Sequence, residues 1–329
     1  RRLTSVVCHS LSDVPDIIDT WNEGKVADVE GYYENAKINR VYVDRVHVKK
    51  AFAEYTAAYN ADDPKIKLKI DHTYRVAALC ERIAKAAGMC AYDVELAWLS
   101  GMLHDVGRFE QIKRYNTFSD ADSVDHAKFG ADLLFKDGLI STFLNGMVKC
   151  TGYKPGALED RYSSDGVFLY DRLNKSDMEM LELAIRCHNM YRIPQGLNRR
   201  EQAFCNVLRD ADKVDIFKVN IDTPLEEIYN TTTEELMKSD ITDEVLEAFD
   251  EEHCILKAIR RTPADTVIGH VSLAYELVYD ESVRITVEQG YLAKLMHFHS
   301  DNEETNRKMA MVREKMDSYV KKRIGEKDA

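Results

Sequence analysis

Apolar residues recur along this chain at helical spacing, and alternation of the kind expected for strands is rare. His72, Val76, Leu79 and Ile83 are separated by four, three and four residues, so they share one helix face. Further helices are predicted at 46–59, 65–87, 94–103, 139–150, 199–217, 224–237, 243–260, 264–279 and 302–323, and after Ser123 and Ser176. Strand patterns are limited to 167–170 and 283–287. The pattern therefore predicts an all-α protein.

Breaks in the pattern suggest three parts. Residues 1–60 form an N-terminal segment of helical and irregular character, which ends near the helix-breaking stretch Asn60–Pro64. Residues 61–222 are predicted to form a helical bundle that holds the chemistry. Residues 223–329 form a C-terminal helical extension, and we expect its apolar stripes to pack on the bundle because they need a partner surface.

Two adjacent ligand-type residues, His104 and Asp105, end the apolar helix predicted at 94–103. Neighbouring side chains on a straight helix diverge, so both can face one metal ion only where the backbone turns. Gly107 follows closely and is expected to supply that turn, since glycine tolerates a positive φ. The pair by itself would also suit an ordinary helix end, with a histidine near the negative pole of the helix dipole.

Other ligand-type residues change this balance, because each lies on the inward face of a separate predicted helix. A single buried histidine is usually a hydrogen-bonded core residue, but several buried polar groups that need one another indicate a shared site. We predict a centre for one or two divalent ions (Mn, Mg, Fe, Ni or Zn), in which Asp105 can bridge two ions. The predicted ligands are His72, His104, Asp105, His126, His188 and Asp212.

Residues 108–123 are predicted to be a polar loop beside this centre. Its cations Arg108, Lys113 and Arg114 would suit phosphate oxygens, and Arg108 and Lys113 join Asp105 as candidate catalytic residues. Its aromatic residues, including Phe109 and Phe118, would stack on a base or sugar. Each of these residues also fits an ordinary solvated loop.

The formal net charge of the 329-residue chain is −12, and no long basic run interrupts it. A nucleic-acid polymer or an anionic membrane surface is therefore not expected as the main partner, whereas a small anion can bind where a metal reverses the local field. No apolar run is long enough to span a membrane. The seven cysteines show no CxxC spacing, which is typical of a reducing compartment, so we expect a cytoplasmic protein. The sequence leaves the oligomeric state open.

The order His72, His104-Asp105 and Asp212 resembles the HD-domain superfamily of metal-dependent phosphohydrolases. The surrounding residues agree, in Leu103-His104-Asp105-Val106-Gly107-Arg108 and in Leu208-Arg209-Asp210-Ala211-Asp212-Lys213. The resemblance covers about residues 65–220 and implies an HD-domain helical bundle. It also favours Asp212 over Asp210 as the last ligand, and the added His126 and His188 resemble the dinuclear branches.

The same resemblance leaves the reaction open between three readings. The favoured one is a phosphohydrolase that cleaves a small phosphate ester, such as a nucleotide, with metal-activated water. The branch that cleaves cyclic dinucleotides differs, since it has two adjacent histidines and a Gly-Tyr-Pro loop where this chain has His188-Asn189 and Tyr191–Pro194. The six-ligand layout is also similar to that of di-iron oxygenases of the inositol oxygenase group. The third reading is a non-catalytic metal-binding or ligand-binding module.

Overall fold

The computed structural model describes residues 39–41, 43–148, 167–169, 175–229 and 231–325. Almost all regular structure in these ranges is helical, which confirms the all-α class. Two three-residue strands, β1 (Asn39–Val41) and β2 (Val167–Leu169), pair in parallel with Asn39 opposite Val167. Within the described part of the chain no helix is both long enough and apolar enough to cross a membrane.

The described residues fall into two compact units. Unit 1 contains the described residues up to Thr73 and those of Gly88–Cys187, and unit 2 contains Tyr74–Ala87 and the described residues from His188 onward. The predicted boundaries at residues 60 and 222 remain predictions, and the first 38 residues lie outside the described part.

Unit 1 is built from helices that surround α3. Its helices are α1 (Arg45–Thr56), the first part of α2 (Pro64–Ala86), α3 (Ala91–Leu103), α4 (Val106–Tyr115), α5 (His126–Ala131) with a π-helical turn (Asp132–Lys136), α6 (Ile140–Val148) and α7 (Lys175–Cys187). As its composition predicts, α3 is buried almost all round, from Tyr92 to Leu103 with Glu95 as the exception. Helix α7 packs against α3 and α5, and α4 packs against α5.

Unit 2 is organised on the longest helix, α8. The helices of unit 2 are the second part of α2, α8 (Arg199–Asp222), α9 (Leu225–Tyr229), α10 (Thr233–Lys238), α11 (Asp243–Asp250), α12 (Pro263–Val271), α13 (Asp280–Gln289), α14 (Tyr291–Met296) and α15 (Glu303–Ile324). Asn198 opens α8 with a capping box to Glu201. Helix α8 packs against α13 and α14, and Met309, Val312 and Met316 of α15 are buried, as their stripe predicts.

Two sequence predictions are wrong. Residues 106–115 form helix α4 and not a loop, because Val106, Phe109 and Ile112 follow helical spacing and are buried despite the polar residues between them. Residues 283–287 belong to helix α13 and not to a strand, since the β-branched side chains there satisfy tertiary packing and override local propensity.

Gly107 serves close packing and not a left-handed turn. It lies inside α4, and the bend between α3 and α4 is made by Asp105, whose φ and ψ are −106° and 15°. A Cβ atom on Gly107 would lie 2.6 Å from the carbonyl oxygen of His126 and 2.8 Å from the Cα atom of Gly130. The absence of side chains at Gly107 and Gly130 therefore lets α4 and α5 touch backbone to backbone.

Candidate metal centre

The bend between α3 and α4 presents His104 and Asp105 together inside unit 1. His104 directly follows the last residue of the apolar helix α3, and Asp105 precedes the first residue of α4. The side chain of His104 is fully buried and that of Asp105 is 2% exposed. The two side chains are therefore held at fixed positions inside unit 1.

Three potential ligand atoms lie at the corners of a small triangle. The Nε2 atoms of His72 and His104 are 3.3 Å apart. Oδ2 of Asp105 is 3.6 Å from Nε2 of His72 and 3.4 Å from Nε2 of His104. A first-row divalent ion bound about 2.1 Å from each of three donors keeps those donors roughly 3.0 to 3.5 Å apart. The triangle therefore fits such an ion.

A hydrogen bond prepares His104 for this role. Its Nδ1 atom lies 2.8 Å from the carbonyl oxygen of Gly101. Because a carbonyl oxygen only accepts, Nδ1 carries the hydrogen and donates it, so the Nε2 lone pair of the neutral ring is left for a metal. Binding of the second ring nitrogen to a backbone carbonyl is the usual way in which a metal-ligating histidine is oriented.

His126 is oriented in the same manner on the other side of Asp105. It begins helix α5, which Asp125 caps by accepting from the backbone N–H of Lys128. Its Nδ1 atom donates to Asp120, 2.7 Å from Oδ2. Its Nε2 atom lies 3.6 Å from Oδ1 of Asp105. Asp105 thus turns one oxygen toward His72 and His104 and the other toward His126, as a bridging carboxylate would.

Cations surround the Asp105 carboxylate. Nζ of Lys69 is 2.7 Å from Oδ2, and Nε of Arg108 is 3.7 Å from Oδ1. Burial would raise the pKa of Asp105, but the Lys69 ammonium holds it well below its usual range. The carboxylate is therefore ionised and ready to bind a cation near neutral pH.

Burial and the Arg108 guanidinium lower the pKa of His126, against the opposing effect of Asp120 and Asp105. Burial would raise the pKa of Asp120, but the hydrogen bond from His126 and the Arg108 guanidinium lower it. His126 is accordingly neutral and Asp120 ionised, which is the pairing that orients a histidine ligand.

Arg108 acts within unit 1 as a brace for the segment that follows α4. Its Nη1 atom donates to the carbonyl oxygen of Phe118 at 2.8 Å and to Oδ1 of Asp120 at 2.9 Å. The amide of the buried Gln111 donates to the hydroxyl of Ser123 at 2.8 Å. Arg108 thus holds Asp120, which in turn holds His126, while the catalytic role predicted for Arg108 stays a prediction.

The other residues predicted to contact substrate have different surroundings. Lys113 is 60% exposed and lies 3.7 Å from Glu110. Phe109 is fully buried in the core, so it is not available for stacking on a ligand. The ring of Phe118 lies 5.5 Å from Nζ of Lys69. Phe118 is therefore the aromatic residue of this set that lies closest to the charged groups around Asp105.

Sequence reasoning missed two residues of this centre. Lys69 precedes His72 by three positions on α2, and this spacing would have placed the two on one helix face. Asp120 lies in an irregular segment without periodicity, so no local signal points to it.

The remaining predicted ligands, His188 and Asp212, belong to unit 2. His188 directly follows α7 and is 3% exposed, which agrees with the inward position that its spacing predicted. Asp212 lies on α8 and is partly exposed. Their membership of the metal centre stays a prediction.

Two neighbouring carboxylates of α8 have other partners within unit 2. Asp210 accepts from the backbone N–H groups of Val278 and Tyr279 and from the hydroxyl of Ser282. Asp215 forms a two-bond ion pair with Arg75, at 2.6 and 2.9 Å. These structural roles agree with the choice of Asp212 over Asp210 as the candidate ligand.

Comparison with known proteins agrees with the arrangement of these residues. The family model described as HD domain matches residues 70–218, which is a little less than half of the chain. The matched range contains His72, His104, Asp105, His126, His188 and Asp212. No curated protein and no solved structure matches the chain significantly.

Proposed function

Because residues 70–218 of this chain are an HD domain, we propose that the protein is a metal-dependent phosphohydrolase acting on a small phosphate ester. The HD superfamily consists generally of hydrolases that bind divalent metal ions. The observation that carries the proposal is the arrangement around Asp105, where the Nε2 atoms of three buried histidines approach one carboxylate. Such a set of nitrogen and oxygen donors suits first-row divalent ions.

His72, His104 and Asp105 would hold one ion, and His126 with the second oxygen of Asp105 would contribute to another. A bound divalent ion supplies a hydroxide at neutral pH and polarises the phosphoryl group. The chain contributes fixed geometry, since Gly101 and Asp120 set the orientation of two imidazoles before any ligand arrives. His188 and Asp212 of unit 2 remain ligands predicted from the sequence.

An anionic substrate is supported by the cations beside Asp105. Lys69 and Arg108 both lie near the carboxylate, and the bound ions would add further positive charge. The centroid of the Phe118 ring is 5.5 Å from Nζ of Lys69 and 5.7 Å from Cζ of Arg108, so its face is placed where it can contact a base or sugar. We therefore propose a nucleotide as the preferred substrate class, and the net charge of −12 speaks against a long polyanion.

The proposal is tested with metal-stripped protein that is reloaded separately with Mn²⁺, Mg²⁺, Fe²⁺, Ni²⁺ and Zn²⁺. Phosphate release is measured on nucleoside mono-, di- and triphosphates, cyclic nucleotides and sugar phosphates. We expect metal-dependent release from at least one nucleotide by the wild type and none by Asp105→Asn. Lys67→Met is the matched control, because it changes an exposed charge on α2 that pairs with Asp71 and not with Asp105.

Two results would contradict the proposal. If no metal and no substrate gives phosphate release but the protein still binds metal, the protein is a non-catalytic metal-binding module. Oxygen uptake by the iron-loaded protein with a polyol or phosphonate, without phosphate release, would favour the di-iron oxygenase.

A further inference from the structure

Lys69 directs a positive charge at an oxygen atom that the proposed metal ion needs. Its Nζ atom donates to Oδ2 of Asp105 at 2.7 Å. The same oxygen forms a corner of the triangle with Nε2 of His72 and Nε2 of His104. The Lys69 ammonium and a metal ion would therefore bind the same oxygen atom, Oδ2 of Asp105.

Simultaneous occupation is unfavourable for electrostatic reasons. A divalent ion and an ammonium group bound to one oxygen would lie within a few ångströms of each other in a buried site, where repulsion between like charges is weakly screened. The side chain of Asp105 is 2% exposed, so water cannot relieve this repulsion there.

The Lys69 ammonium can move away from Oδ2 of Asp105. Its side chain is 16% exposed and has a flexible four-carbon stem. The Phe118 ring lies 5.5 Å from Nζ, so an aromatic face remains close to the ammonium when it moves off Oδ2. Arg108 lacks this freedom because its guanidinium is bound to Gln111, Phe118 and Asp120.

We propose that Lys69 is an internal competitor of the metal, bound to Asp105 in the metal-free protein and displaced from Oδ2 when a divalent ion enters. The inference rests on the proposed metal site. In the metal-free protein the ammonium compensates a buried carboxylate that would otherwise be costly. After displacement the same charge stays beside the site, where an anionic substrate would bind.

The test measures Mn²⁺ binding to metal-stripped protein by isothermal titration calorimetry and by electron paramagnetic resonance of the free ion. Lys69→Met removes the charge and keeps the length of the side chain. We expect the Kd for Mn²⁺ to fall about tenfold or more, because a charge-assisted hydrogen bond no longer has to be broken. Lys67→Met is the matched control, since Lys67 lies on the same helix, is 70% exposed and pairs with Asp71. The Kd of the Lys67→Met variant for Mn²⁺ should equal that of the wild type.

Lys69→Gln provides a second variant that keeps a hydrogen-bond donor without the charge, and it should shift the Kd in the same direction. Unchanged or weaker Mn²⁺ binding in a folded Lys69 variant would overturn the inference and leave the proposed function intact. If the wild type binds Mn²⁺ no better than Asp105→Asn does, the metal site fails and the inference falls with it.

Discussion

In unit 1 the carboxylate of Asp105 is surrounded by imidazoles and cationic side chains. Its two oxygens face three imidazoles and two cationic side chains, and its carboxylate is almost fully buried. A change of this residue therefore affects metal affinity and the balance of buried charge together.

Asp105→Asn should lower divalent-metal affinity at least about a hundredfold, because an amide lacks the charge and bridging capacity of a carboxylate. Asp105→Ala should also lower the free energy of unfolding by about 3 kcal/mol or more, since the largely buried Lys69 loses its anionic partner. Metal content by mass spectrometry and urea denaturation measure the two effects. Full metal occupancy in either variant would refute the assignment of this site.

The burial of His270 in unit 2 predicts that the protein becomes less stable as the pH falls. Burial and the nearby Arg260 and Lys257 lower the pKa of His270 to about 3, and its buried Nδ1 atom has no hydrogen-bond partner within the described part of the chain. In the unfolded chain this histidine titrates near its ordinary pKa of about 6.5. The unfolded state therefore takes up the proton first, and the contribution to stability is present above pH 6.5 and lost as the pH falls toward 3.

Urea denaturation at pH 7, 6, 5 and 4 should show this loss as about 1.4 kcal/mol per pH unit below roughly pH 6. His270→Gln does not titrate, so its free energy of unfolding should decline less steeply over the same range. Parallel decline in the two proteins would show that His270 does not cause it.

At the scale of elements, the contact between α4 and α5 sets the distance between Asp105 and His126. Each helix begins with one of these residues or directly after it, and Gly107 and Gly130 permit the contact. A wider spacing of the two helices would move His126 away from Oδ1.

Gly107→Ala should destabilise the protein by about 1 to 3 kcal/mol and reduce the metal count of a two-ion centre by about one. The new Cβ atom would meet the backbone at 2.6 to 2.8 Å, and backbone atoms cannot rotate away. Gly130→Ala should have a smaller effect, because its closest contact would be 3.0 Å. Thermal denaturation and metal analysis test the ranking, and equal stability of all three proteins would contradict it.

Helix α8 carries two aspartates with different predicted roles. Asp210 satisfies backbone N–H groups that precede α13, whereas Asp212 is partly exposed. Asp210→Ala should lower the free energy of unfolding by about 3 kcal/mol, because it leaves buried donors without their charged acceptor. Asp212→Ala should cost less stability but weaken metal binding. The reverse pattern in urea denaturation and metal titration would exchange the two assignments.

At the scale of the whole molecule, residues 199–218 of α8 lie inside the matched HD range, but α8 belongs to the same compact unit as the C-terminal helices. It packs against α13 and α14, both of which follow residue 222. The boundary drawn from the sequence at residue 222 would therefore separate packed elements.

A chain truncated after Asp222 should be poorly soluble or lack a cooperative thermal transition, since it exposes the apolar surface that α13 and α14 cover. Circular dichroism melting and light scattering measure this. The full-length chain is the control. A soluble truncated protein with cooperative melting and metal binding would instead show that the chain up to Asp222 folds without the C-terminal helices.

The sequence by itself determined the all-α class, most of the helices and the inward position of His72, His126 and His188. These features depend on the spacing of apolar residues, which a helix converts directly into a buried face. The sequence also indicated His104 and Asp105 as candidate metal ligands, because residue type limits the chemistry of a side chain.

Only the tertiary structure decided which polar groups meet. Lys69 shares a helix face with His72, but its contact with Asp105 joins residues 36 positions apart, and Asp120 lies in an irregular segment. Neither contact leaves a periodic trace in a single sequence. The polar α4 was mistaken for a loop because its burial comes from neighbouring helices. Asp210 and Asp212 differ by two positions in the chain, yet the backbone N–H groups before α13 select the first as a structural residue. Such choices depend on distances in three dimensions, which the tertiary packing sets.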